Sequence, residues 1–412
     1  MLTPQTSASP PLKTSPKSVI GASATDRVAA VPDESLWTSA RIILDDGSEW
    51  VGLSPSRPGA YPLSEFVFNT ATAGYEEVMT DPSYGGQVVV FTTPHLGTTG
   101  WTEIECESGT VAVAGVVCRQ LVTHDDNHLS RKRLIDVLVG NGIPVVSGVD
   151  TRGLTLRLRE RGTMQGCIVV GCPAVADAHH SLSLSDLNAP LHLKPSASRP
   201  GFVGAGCSPS ACATSRLRVA VIDFGVKSSI LTSLEARGVE VVTFPWDTVT
   251  RDDVANAGVE GVLFSNGAGD PRCLVDQPER LELYRQLAGS YISRGICFGH
   301  QALALAYGAR IDKLPFGHHA INHPVACIDA AGDVTAVAIT SQNHNYAVSR
   351  EGLPAELVTS HVHLNDGTVA GLRHVAGVFE SVQFHPEAGP GPRDASTFFD
   401  EFIAAMKARE AC

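Results

Sequence analysis

The segment Gly295-Ile-Cys297-Phe-Gly299-His-Gln301 constrains this chain more than any other. A strand-like run at residues 291–296 leads into it, and a helical pattern at 301–308 leads out. A nucleophile between two glycines at a strand-to-helix turn is an elbow, here with Cys at its tip. The glycines are needed because a Cβ at either position would crowd the backbone or block the thiol. The turn also places Cys297 near a helix start, where unsatisfied N–H groups and the helix dipole favour thiolate over thiol. Such an elbow requires a strand already fixed in a sheet.

The surrounding sequence supplies that sheet. Strand-like runs at 217–222, 239–244, 261–264 and 291–296 alternate with helical patterns at 230–234, 279–288 and 301–308. This alternation predicts an α/β domain with an open, mostly parallel sheet, helices on both faces and right-handed crossovers. Active sites of such sheets lie at the carboxyl ends of the strands. A final helix at 397–408 is expected to bury Phe398, Phe399, Phe402, Ile403 and Met406.

The 412 residues leave room for more than this one unit. Residues 1–38 are rich in Ser, Thr, Pro and Ala and are expected to be a disordered tail. Residues 39–186 read as a mixed α/β domain. It opens on a hairpin around Asp46-Gly47, with strands at 65–69, 87–92, 111–119, 145–147 and 167–170. Helices are expected from an N-cap at Ser130 to Asn141-Gly142, and over 154–161. Residues 187–216, broken by Pro190, Pro195, Pro200 and Pro209, read as a linker, and 217–412 as the elbow-bearing domain.

Composition excludes several function classes. With 31 Lys+Arg against 43 Asp+Glu the net charge is -12, which argues against a nucleic-acid binder or a polybasic membrane-surface protein. No apolar run approaches the roughly 18–20 residues of a membrane span. The ten cysteines contain no C-x-x-C pair, so no zinc ribbon or thioredoxin-like site is expected. Cys207 and Cys212 in the linker read as incidental. The expected location is cytoplasmic; an organelle such as a plastid is the alternative if the acid-poor, Ser-rich tail is a transit peptide.

A thiol nucleophile needs a base, and the base an orienter. His385-Pro386-Glu387 follows a strand-like run at 378–384. In extended chain, residues two apart face the same side, and Pro386 keeps His385 out of the α region. His385 and Glu387 can thus face one cleft and complete a Cys-His-Glu triad. The Gly-rich stretch Ser265-Asn266-Gly267-Ala268-Gly269-Asp270-Pro271 can bring backbone N–H groups to an oxyanion. Gly225-Val-Lys227-Ser228 lacks phosphate-loop spacing. His319 and His323 are four apart, but Gly317 and Pro324 oppose a metal-binding helix face, and no metal is expected.

Together these segments resemble a class I, triad-type glutamine amidotransferase. The first half narrows the resemblance. Phe68-Asn-Thr-Ala-Thr-Ala-Gly-Tyr75, Thr80-Asp-Pro-Ser-Tyr84, Pro94-His-Leu-Gly97, Asp150-Thr-Arg152, Gln165-Gly-Cys-Ile168 and Gly317-His-His319…Asn322-His-Pro324 resemble the small subunit of carbamoyl-phosphate synthetases, over roughly residues 40–408.

The resemblance implies that Cys297 attacks the side-chain amide of glutamine, His385 relays the proton and Glu387 orients His385. It implies an oxyanion hole from the N–H groups of Gly267 and Phe298. Glutamine is expected to contact Ser83, Gly267, Gly269, Phe298, Gln301, Asn343, Asn345 and Tyr346. Ser83 places the site at a domain interface. Ammonia would pass to a large subunit that uses ATP and magnesium with bicarbonate to make carbamoyl phosphate; this chain is expected to hold no cofactor. Departures from the family pattern are Ala268, Ala320-Ile321, Asn345, Gly389 and Arg393. At Asn345, where many family members have Gly, Asn tolerates a left-handed backbone, so a main-chain contact there can survive. The competing functions are a stand-alone γ-glutamyl cysteine hydrolase and a non-catalytic scaffold.

Overall fold

A computed structural model describes residues 37–171, 217–329 and 331–410. The expected tail, the end of the first domain, the linker and Cys207 and Cys212 lie outside the described residues, apart from Trp37 and Thr38.

The first unit is built on an eight-stranded sheet. Its main path runs Glu49–Ser54, Thr38–Leu44, Met164–Val170, Ser64–Asn69, Gln87–Phe91, Gly115–Val117 and Val145–Val146; Gly59–Ala60 pairs with Met164–Val170. The hairpin expected at Asp46-Gly47 is present, with Gly47 at φ 80° and Trp50 opposite Ile42. One apolar core lies on each face of this sheet. One gathers Val67, Val89, Val116 and Leu138, the other Ile42, Phe66, Val88 and Leu154. The alternate residues Val88 and Val89 thus serve opposite cores, as strand geometry requires.

Two helices begin elsewhere than expected. Ser130 does not cap the helix Leu134–Gly140: its hydroxyl donates to the Lys132 carbonyl, and Arg133 takes the cap position. The chain between them pairs with Trp101 before any helix can start. The helix Thr151–Arg161 starts a few residues early because the Asp150 carboxylate accepts from the Gly153 N–H.

The second unit is a nine-stranded sheet. In order it runs Glu240–Pro245, Arg218–Phe224, Gly261–Gly267, Ile292–Ile296, Phe379–Val382, Val369–His374, Leu357–His363, Ile311–Ile328 and Val334–Val348. The first five are parallel, as the alternation required; the last four continue antiparallel. That antiparallel half is an addition the helix-strand alternation did not reach. Helices cover both faces. Pro278–Ser290 and Phe298–Ala306 pack with Ile222, Val262 and Phe264. Ser228–Glu235 and Thr397–Glu410 pack with Val219, Val221 and Leu263, and the five expected residues of the last helix are all buried.

The two units are locked together by polar contacts. The Thr70 N–H donates to the His319 carbonyl, Asn343 Nδ2 to Asp81 and Asn266 Nδ2 to the Ser83 hydroxyl. Glu77 lies close to this seam and carries a buried carboxylate oxygen without a partner. Burial, together with the carboxylates of Glu105, Glu107 and Glu76, pushes it up to about 7. Because its folded value is raised, ionising Glu77 costs stability as pH rises from the ordinary carboxylate range through about 7. Glu77→Gln is therefore expected to stabilise the protein above pH 7 by about 1–3 kcal/mol, with the gain vanishing in acid below the ordinary carboxylate range. Thermal melting of both proteins across that range checks the sign.

Candidate active site

Four carboxyl ends of the parallel strands converge on one place. Arg218–Phe224 leads to Lys227, Gly261–Gly267 ends on the glycine loop, Ile292–Ile296 leads to Cys297 and Phe379–Val382 leads to His385. The elbow is sharper than the sequence suggested. The helix starts at Phe298, not Gln301, so Cys297 itself occupies the N-cap, with φ 53° and ψ -105°. That backbone is strained for a residue bearing a Cβ, at a cost of about 1–3 kcal/mol. The sheet and helix on either side hold it. Gly299 shows how tightly: a Cβ there would lie 2.1 Å from the Phe264 carbonyl oxygen. Gly299→Ala is expected to lower the melting temperature by roughly 6–12 °C, corresponding to about 3 kcal/mol. An unchanged melting temperature would show that the elbow can relax.

His385 Nδ1 meets Glu387 Oε1 at 2.5 Å, and both side chains are buried. The His385 N–H donates to the Ser341 carbonyl, which fixes the backbone of the pair. Burial disfavours the imidazolium, but the Glu387 charge and the contact with Cys297 outweigh it and raise the His385 pKa. Burial likewise opposes the Glu387 carboxylate, yet Lys227 and His385 hold its pKa below the ordinary value.

Lys227 was not anticipated. Its ammonium is buried, 3.1 Å from Glu387 Oε1 and 3.6 Å from Glu107 Oε1, and donates to the carbonyls of Ala388 and Gly389 at 2.7 Å each. Glu107 comes from the first unit and also accepts from the Ser229 N–H. The first unit thus reaches the His385–Glu387 pair through a carboxylate-ammonium-carboxylate chain. In the sequence, a lone Lys just past a strand end is the only signal of this contact, and its spacing resembles only a failed phosphate loop.

In front of Cys297 lies a cavity of about 130 Å³, walled by both units. All eight residues expected to contact glutamine line it: Ser83, Gly267, Gly269, Phe298, Gln301, Asn343, Asn345 and Tyr346. Gln301 donates to the Tyr346 carbonyl at 2.7 Å and to Gln383 Oε1 at 2.9 Å. Gly267 is required by close approach, since a Cβ would lie 2.5 Å from the Phe224 carbonyl, whereas Gly269 has φ 99°. His385 and Glu387 sit behind the cavity wall rather than in it.

Asn345 departs from expectation. It is not among the left-handed residues but lies within the strand Val334–Val348. Its side chain does the work instead: Oδ1 faces His319 Nε2 at 2.8 Å and Nδ2 donates to Glu65 Oε2 at 2.8 Å. Glu65, Asp270, Arg272 and Lys313 add charges of both signs to the wall, and the sequence reading missed them as a set. Among the other described thiols, burial pushes Cys106 and Cys118 up to about 12. Both are poorly suited to nucleophilic chemistry.

Comparison with known proteins bears on both halves. Residues 42–168 match the carbamoyl-phosphate synthase small chain, CPSase domain, and residues 220–405 match glutamine amidotransferase class-I. The carbamoyl phosphate synthase small chain of Listeria innocua is 39% identical over 378 residues, 90% of this chain and 98% of that protein. That of Symbiobacterium thermophilum is 40% identical over 370 residues, 88% and 97% of the two chains. That of Thermosynechococcus vestitus is 40% identical over 384 residues, 90% and 97%. With motifs, elbow and both domain matches in agreement over nearly its whole described length, the chain belongs to the carbamoyl-phosphate synthase small chain family, with a class I glutamine amidotransferase domain as its second half.

Proposed function

We propose that Cys297, His385 and Glu387 are the catalytic triad by which this small chain hydrolyses glutamine. The observation that carries this reading is the strained elbow: Cys297 stands at a helix start on the wall of a cavity shared by both units, in contact with a buried His-Glu pair. Cys297 Sγ attacks the side-chain amide carbon, and the thiol proton passes to His385. The carbonyl oxygen, now an anion, lies toward the N–H groups of Gly267 and Phe298. His385 returns the proton to the nitrogen as the C–N bond breaks, releasing ammonia and leaving a γ-glutamyl thioester on Cys297. Water, deprotonated by His385, then cleaves the thioester to glutamate. Glu387 orients His385 and stabilises its imidazolium.

Ser83, Gly267, Gly269, Phe298, Gln301, Asn343, Asn345 and Tyr346 bind glutamine in this reading. The mixed charges of Glu65, Asp270, Arg272 and Lys313 suit the zwitterionic end of an amino acid. The ammonia goes to a large chain that binds ATP and magnesium and makes carbamoyl phosphate from bicarbonate, for arginine and pyrimidine biosynthesis. No helix among the described residues is long and apolar enough to cross a membrane, and six described cysteines are free thiols. The free thiols support placement in a reducing compartment such as the cytoplasm.

Co-expression with a large chain tests the assembly. The two are expected to co-purify, and glutamine hydrolysis by the small chain to rise when the large chain is added with ATP and bicarbonate. Full hydrolysis by the isolated chain, unchanged by the partner, would favour a stand-alone hydrolase.

A further inference from the structure

For His319 and His323, four apart in the sequence, Gly317 and Pro324 oppose a metal-binding helix face. The structure removes that objection by putting the histidines on strands. His318 and His323 belong to Ile311–Ile328, and His363 ends the adjoining strand Leu357–His363, where it pairs with Val325. One ring nitrogen from each of His318, His323 and His363 lies within 4.8 Å of the other two. His363 Nε2 is 2.9 Å from His323 Nδ1, and the rings of His318 and His363 stack with centroids 4.1 Å apart. Asp366 adds a carboxylate, with Oδ2 2.8 Å from His318 Nε2 and Oδ1 3.1 Å from His363 Nδ1.

A hydrogen-bonded histidine network is the simpler reading, but it leaves polar atoms unsatisfied. His318 is 5% exposed, and its Nδ1 is buried with no hydrogen-bond partner. A buried imidazole nitrogen left without a partner is desolvated with nothing in return. Three imidazoles, two of them braced by a carboxylate, are instead an arrangement suited to a zinc-type ion. In a tetrahedral site with zinc–nitrogen bonds of about 2.0–2.1 Å, the ligand nitrogens are roughly 3.4 Å apart. The three nitrogens lie within 4.8 Å of one another and must close by up to about 1.4 Å to reach that spacing.

We propose that His318, His323 and His363, together with Asp366, form a binding site for a divalent transition-metal ion of the zinc type. Asp366 supplies the negative charge and orients two of the rings, as carboxylates commonly do around metal-bound histidines. The site is outside the cavity that holds Cys297, yet it is coupled to its wall. The His318 ring packs edge-on against His344 at 4.9 Å, and the neighbours of His344 in the strand, Asn343 and Asn345, line the cavity. A bound ion would brace that strand from behind. The inference stands whether or not the proposed catalytic roles hold.

The test uses the full chain carrying Cys297→Ser, which removes the elbow thiol as a competing ligand. The protein is stripped with a chelator and titrated with zinc against a chromophoric indicator, then with cobalt(II). One zinc per chain is expected to disappear in His323→Asn and His363→Asn, and to bind about 10–100-fold more weakly in Asp366→Asn. Cobalt is expected to give visible d–d bands without sulfur charge transfer. Asp366 is partly exposed, so its variant keeps the test decisive if a histidine variant fails to fold. Absence of zinc binding, binding unchanged in all three variants, or a cobalt spectrum with sulfur charge transfer would overturn the proposal.

Discussion

Cys297→Ser is expected to lower glutamine-dependent carbamoyl phosphate synthesis by about 1,000-fold or more in the assembled enzyme, while synthesis from added ammonia continues. The elbow holds one thiol at the cavity wall, with His385 and Glu387 behind it. Serine keeps the shape but is a far weaker nucleophile at neutral pH. Ammonia bypasses the thioester, so its use depends only on the partner and the docking surfaces. Loss of both activities would point to misassembly; retention of glutamine use would move the nucleophile elsewhere. A non-catalytic scaffold would show no difference between the variant and the parent.

Lys227→Met is expected to produce the second large effect, and to separate structure from chemistry. Removing one partner of a buried ionic set strands the others, at about 3–5 kcal/mol. Here two carboxylates, Glu107 and Glu387, are left facing each other across the gap. Lys227 helps to hold the Glu387 pKa below its ordinary value. A group with a depressed folded pKa stabilises the fold above its unfolded value, and that contribution is lost as pH falls through the folded one. Without Lys227, the Glu387 pKa rises. The acidic limb of kcat/KM should therefore move to higher pH, along with a lower melting temperature. The double variant Lys227→Met/Glu107→Gln should recover part of the stability, because it removes one of the stranded charges. A variant with unchanged pH profile would show that Lys227 acts on folding alone.

These two cases also show what the sequence could and could not convey. Cys297 and its glycines were legible because the elbow is a local device: strand, cysteine and helix start lie within a few residues. His385 and Glu387 were legible for the same reason, two positions apart in extended chain. The helix start was misplaced at Gln301 because the strained backbone of Cys297 lets the helix begin at once. Lys227 and Glu107 were not legible as partners, since nothing in either segment refers to the other. The antiparallel strands Ile311–Ile328 and Val334–Val348 were missed because their buried residues include His318, His319, Gln342, Asn343 and His344. A strand that carries the polar wall of a site lacks the apolar alternation by which strands are recognised. Asn345 was read as a glycine substitute, whereas the fold uses its amide to join His319 to Glu65.

The most direct test of the central claim is to trap the covalent intermediate. The assembled enzyme, turning over glutamine, is quenched in acid, digested and mapped by mass spectrometry. A γ-glutamyl thioester on the peptide containing Cys297, absent in Cys297→Ser, is the predicted result. A γ-glutamyl group on another residue, or ammonia release with no adduct on Cys297 under conditions that preserve thioesters, would contradict it.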